Sequence, residues 1–138
     1  MLVRIFSGMR GADPLDIIIQ VLITIAAVVI CLVVHELCHG LAAYALGDPT
    51  AKRAGRLSLN PLKHLDPIGS LMLLFAGFGW AKPVQVDARY FENPKRDMAL
   101  TALAGPISNF LLAFLMVGGL KLTYTVQGSI GTVFYIFY

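Results

Sequence analysis

Apolar residues in this chain fall in long unbroken runs rather than in the stripes of a soluble amphipathic helix, and the polar breaks between them mark three or four segments. The first run, Ile17 to Val34, carries no charge, and its helical pattern continues through His35 to Leu46 before Gly47, Asp48 and Pro49 stop it. Asp13, Pro14 and Asp16 open the helix: a capping carboxylate, a proline at the first helical position and a second acid facing the dipole. At roughly 1.5 Å per residue such a helix reaches about 50 Å, longer than a bilayer, so it must tilt, bend or protrude.

A loop from Gly47 to Pro67, with Lys52, Arg53, Arg56 and Lys63, leads to a second apolar run, Ile68 to Ala81. Its fourteen residues include Gly69, Gly77 and Gly79. That is short for a full span, so the run is either a short helix or re-entrant. In the polar stretch that follows, Val84-Gln85-Val86-Asp87 alternates apolar with polar after Pro83, which predicts a short strand at the membrane edge. Asn93-Pro94 repeats the cap-and-proline start, and Met98 to Leu120 then runs twenty-three residues without a charge, enough to cross a bilayer. The last residues, Gly131 to Tyr138, read as the opening of a fourth segment. The expected fold is an all-α membrane protein with three to four apolar helical segments, one of them short or re-entrant, and small extended elements in the loops. It forms a single polytopic domain over residues 1–138.

Composition agrees. Of 138 residues, 57% are hydrophobic and 14% charged, and the mean hydropathy is +0.74, outside the ordinary soluble range. A chain this short cannot hide so much apolar surface in a core of its own, which makes the lipid bilayer its solvent. Eleven Lys and Arg against eight Asp and Glu give a net charge of +3. The basic residues lie in short loops rather than in a stripe with aromatics, so they set topology or meet lipid headgroups, and nucleic acid is excluded as a partner. Three full spans would divide the basic residues six to five, whereas a re-entrant second run divides them eight to three, and the positive-inside bias favours the latter. Cys31 and Cys38, seven residues apart in one helical pattern, are too far apart for a local disulfide and read as small packing residues. A cleaved signal peptide is not expected, because the first apolar run continues directly into the histidine motif.

The chemistry lies in His35-Glu36-Leu37-Cys38-His39. Histidines at i and i+4 stand about 40° apart around a helix axis and about 6 Å apart along it, so both imidazoles can reach one metal ion. Glu36 flanks that face, where a carboxylate reaches a water beside the ion without being a ligand: the general-base position for peptide hydrolysis. An ionised glutamate inside a membrane helix costs about 3 kcal/mol, which marks it as functional. The competing interpretation is a hydrogen-bonded polar cluster near the aqueous interface, without metal.

His35-Glu36-x-x-His39 in one apolar helix and Ala104-Gly105-Pro106-x-x-Asn109 in a later one resemble the site-2 protease family of intramembrane zinc metalloproteases. Arg56 to Gly69 and Gly79-Trp80-Ala81-Lys82-Pro83-Val84 resemble its compact prokaryotic branch. The resemblance implies Zn2+ held by His35 and His39, Glu36 as catalytic base, a membrane-protein or peptide substrate, and a place in a prokaryotic cell membrane. The family's third ligand, an Asp in a late Leu-Asp-Gly stretch, has no counterpart here, so the chain is expected to be incomplete at its C-terminus or an unusual shortened form. A catalytically inactive relative that binds membrane partners is the alternative. A metal transporter fits less well, since the second and third apolar runs hold no ionisable group. Asp66 is open to two readings, a substitute ligand or the N-cap of the second run, with the cap the stronger, and His64 lies two residues before it. Asn109 is expected to bond across to another helix or to substrate.

Overall fold

A computed structural model describes residues 13–76 and 78–125. Two long helices dominate it: α1, Pro14–Ala45, and a second of equal length, Pro94–Thr125; each has 32 residues. Between them come the single turn α2, Thr50–Arg53, and the ten-residue α3, Pro67–Ala76, so the long C-terminal helix is α4. Short 3-10 turns at Pro61–Lys63 and Ala88–Tyr90 complete the connections. The expected fourth segment lies outside the described residues.

The ends of these elements follow from local chemistry. Asp13 accepts the Leu15 N–H through its side chain and Pro14 opens α1. At the other end Gly47, with φ 105°, turns the chain out of the helix in the left-handed region where a side chain would be strained. The α4 start is built differently from the expected asparagine cap: the Asp97 carboxylate reaches back to accept the Asn93 N–H at 3.0 Å.

Both long helices carry large apolar side chains on their surfaces. Leu22 and Ile30 of α1 and Phe110 and Phe114 of α4 are exposed, as suits lipid-facing positions, and both helices are long and apolar enough to cross a membrane. The second apolar run does not cross. Helix α3 is about 15 Å long by its residue count, half the hydrocarbon thickness. Leu65 and Ala81, which bracket it, form an antiparallel bridge, and Lys82 donates its N–H to the His64 carbonyl at 2.7 Å. Entrance and exit therefore stand side by side, and the segment returns to the face it left. Gly69 permits the closure, because a side-chain carbon there would stand 2.1 Å from the Trp80 carbonyl oxygen.

The strand expected at Val84 to Asp87 does not form. Its N–H groups are drawn to separate elements: Val84 donates to Glu36 Oε2 at 3.1 Å and Asp87 to Asp48 Oδ2 at 2.7 Å. Two of the four N–H groups in this stretch are thereby committed to side chains rather than to a ladder. The isolated Leu65–Ala81 bridge is the extended element in this region.

Candidate metal centre

The site forms where α1 and α4 pack. On α1, one helical turn brings the rings of His35 and His39 to a centroid separation of 4.6 Å at 85°. Ligand-capable atoms of His35, Glu36 and His39 all lie within 4.8 Å of one another, and all three residues are half-buried. Glu36 sits on the flank of the pair, its Oε2 holding the Val84 N–H of the connecting segment.

Helix α4 closes the other side with residues four apart. His39 Nδ1 lies 2.6 Å from the Thr101 carbonyl, and His35 Nδ1 lies 3.3 Å from Asn109 Nδ2. Between these two contacts is Gly105. A carbon built at its Cβ position would stand 2.4 Å from His39 Nε2 and 2.6 Å from His35 Nε2. A zinc ion bonded to imidazole sits about 2.0–2.1 Å from the nitrogen, so the missing side chain leaves room where both Nε2 atoms could reach one ion. The donor set suits zinc as well: two imidazoles with a carboxylate beside them. The residues present therefore fit the ion.

The remaining sequence candidates are placed elsewhere. Asp66 takes the capping role, its Oδ1 accepting the Gly69 N–H at 2.7 Å at the start of α3, and it is not part of the histidine group. The carboxylate is consumed by the helix start, as the Asp-Pro pair implies. His64 is fully buried with Nε2 on the Ser58 carbonyl at 2.7 Å, away from the other two histidines. Asn109 does bond across helices, to His35. Cys31 and Cys38 are free, half-buried thiols.

Three contributors were not singled out as such from the sequence: the Thr101 carbonyl, the Val84 N–H and the space at Gly105. A signal for two of them exists. Asp97, Thr101, Gly105 and Asn109 form a polar and small row at four-residue spacing along an otherwise apolar helix, which is one face. Asp97, Thr101 and Gly105 are buried. Gly40, one residue after His39, adds a second close approach: a carbon there would meet Leu57 Cδ2 at 2.7 Å and Val84 Cγ1 at 3.5 Å, so the connecting segments lie directly on α1 beside the site.

Among curated proteins, the chain is 47% identical over 102 residues to the "Putative zinc metalloprotease YwhC" of Bacillus subtilis (strain 168), an alignment covering 74% of this chain and 45% of that protein. It is 31% identical over 111 residues to the "Putative zinc metalloprotease Rip2" of Mycolicibacterium smegmatis, covering 76% of this chain and 42% of the relative. The Rip2 of Mycobacterium tuberculosis matches at 32% over 106 residues, 72% and 40% of the two chains. The chain thus spans a little under half the length of the curated relatives it matches. No family model matches it, and no solved structure does so significantly. A histidine-glutamate-histidine group that fits zinc, two apolar helices able to cross a membrane, and relatives named as zinc metalloproteases together make this chain a member of the site-2 protease-like family, with zinc as its cofactor.

Proposed function

We propose that this chain carries the catalytic core of an intramembrane zinc metalloendopeptidase that hydrolyses peptide bonds in or near transmembrane segments of membrane proteins. The observation that supports it most is the convergence of His35 Nε2 and His39 Nε2 on the gap at Gly105, with the Glu36 carboxylate within 4.8 Å. His35 and His39 would hold the ion, and zinc bound there would supply Lewis-acid chemistry. Glu36 takes the proton of the attacking water and returns it to the leaving amine. Its carboxylate is oriented by the Val84 N–H, which holds one oxygen and leaves the other to the reaction.

Apolar side chains such as Phe110 and Phe114 surround this pair of helices, so the polypeptide that approaches from the bilayer is itself apolar. Eight of the eleven Lys and Arg lie in the connecting segments or in the first turn of α4, which orients the α1 C-terminus and the α4 N-terminus toward the cytoplasm of a prokaryotic cell.

The test uses protein purified in detergent, zinc analysis, and a membrane-spanning peptide as substrate. Zinc should be present at about one ion per chain, by the one-site donor set. His35→Ala and His39→Ala should lose it. Glu36→Gln should keep the ion and slow cleavage by about 10²–10⁴-fold, the usual contribution of a general base. Undiminished cleavage by Glu36→Gln, or no zinc uptake after reconstitution, rejects the assignment.

A further inference from the structure

A neutral imidazole can offer Nε2 to an ion only when its proton is on Nδ1. For His39 the partner decides the matter: the Thr101 carbonyl, 2.6 Å from Nδ1, can only accept, so Nδ1 carries the hydrogen and the Nε2 lone pair faces the gap at Gly105. His35 has a side-chain amide in the equivalent place. Asn109 Nδ2 lies 3.3 Å from its Nδ1, while Asn109 Oδ1 is buried without a hydrogen-bond partner. Were the NH2 to donate there, His35 would carry its proton on Nε2, pointing at the very gap that His39 Nε2 faces. A half-turn of the amide about its Cβ–Cγ bond exchanges the two atoms without moving a carbon. Oδ1 then accepts from Nδ1–H, and the second lone pair opens on the gap. One amide atom lacks a protein partner in either orientation, so the tautomer of the ring decides between them.

We propose that Asn109 is a positioning residue: its Oδ1 accepts the His35 Nδ1–H across the α1–α4 interface, fixes that ring's tautomer and angle, and thereby prepares Nε2 for zinc. Helix α4 thus presents an acceptor at Thr101, a space at Gly105 and an acceptor at Asn109, matched to His39, the ion position and His35. Outer hydrogen bonds of this kind raise the basicity of a ligating imidazole and fix its orientation. The inference rests on the assignment of His35 as a ligand.

Two variants and one spectrum test it on the full chain in detergent. Asn109→Leu removes both polar atoms at similar volume, and Asn109→Asp keeps an acceptor without a donor. In competition with a chelator, Asn109→Leu should bind zinc about 10–100-fold more weakly, and Asn109→Asp should stay within roughly threefold of the unsubstituted protein. Two-bond 15N–1H spectra of the zinc-free protein at pH 8 should show His35 in the Nδ1–H form. Equal zinc affinity in Asn109→Leu overturns the proposal, as does Asn109→Asp falling as far as Asn109→Leu with helicity retained. An Nε2–H signal for His35 in the unsubstituted protein overturns it too, and that measurement decides alone if the leucine variant fails to fold. If the unsubstituted protein shows the Nδ1–H form yet takes up no zinc, the ligand assignment fails and the role of Asn109 toward the ring stands.

Discussion

Two glycines show how a single hydrogen in place of a methyl group has different weight at different positions. A methyl group on Gly105 would press on His39 Nε2, His39 Cε1 and His35 Nε2, all within 2.6 Å, and these rings are held from behind by Thr101 and Asn109. Neither ring can retreat, so Gly105→Ala should weaken zinc binding at least about tenfold while helix content is retained, the scale of a damaged ligand shell. Chelator competition with circular dichroism checks this, and unchanged affinity would show that the gap is not where the ion sits. At Gly40 the nearest obstacle is Leu57 Cδ2, the end of a movable side chain. Gly40→Ala should cost about 1–3 kcal/mol of stability, as overpacking does, and leave zinc binding intact. A loss of zinc in Gly40→Ala comparable to that in Gly105→Ala would remove the distinction.

Among the elements, the connection after α1 depends on one carboxylate. Asp48 is fully buried; its Oδ1 accepts from the Thr50 N–H and hydroxyl, and its Oδ2 from the Asp87 N–H, which ties α2 to the segment that supports Glu36. Burial alone would raise its pKa, but the Thr50 side chain and the Asp87 and Thr50 N–H groups outweigh it and hold the carboxyl below its usual range. A pKa depressed on folding contributes stability above the unfolded value, and that contribution is lost as pH falls through the folded value. Thermal unfolding should therefore be stable against pH near neutrality and weaken below about pH 4, the ordinary carboxylate range. Asp48→Asn keeps one acceptor but turns an NH2 toward a neighbouring N–H, and should cost about 1–3 kcal/mol at pH 7 with a smaller further loss on acidification. An identical acid profile in parent and variant would assign the pH dependence to other groups. Nearby Asp87 is half-buried and held at about 2 by its contacts with Arg89, so its own contribution is also lost as pH falls below the ordinary carboxylate range, and the comparison with Asp48→Asn separates the two.

For the whole molecule the decisive feature is that α3 returns to its side of entry. The Leu65–Ala81 bridge and the Lys82 to His64 hydrogen bond place both connecting loops on one face. Cysteines introduced as Leu59→Cys and Glu92→Cys, with Cys31 and Cys38 replaced by alanine, should react with a membrane-impermeant reagent from the same side of sealed vesicles. Labelling from opposite sides would require α3 to cross, against its ten-residue length.

Most of this architecture was legible as periodicity and punctuation. Charge-free runs define α1 and α4, proline after Asp13, Asp66 or Asn93 marks their starts and that of α3, and the His35-Glu36-x-x-His39 spacing places three functional groups on one helical turn. These features are local, set by residues within a few positions of each other, and the sequence alone determines them. Contacts between segments distant along the chain were decided by the fold. Val84 read as part of a strand, yet its N–H goes to a carboxylate 48 residues earlier; the Thr101 carbonyl meets His39 62 residues away, and Asn109 meets His35 across 74. Such partners depend on how two helices cross and on which backbone groups remain unpaired after each helix has formed, and no pattern of neighbouring residues encodes them. Sequence therefore determined that two imidazoles and a carboxylate share one face of a membrane helix, while tertiary structure alone brought Gly105 opposite them and opened the space an ion needs.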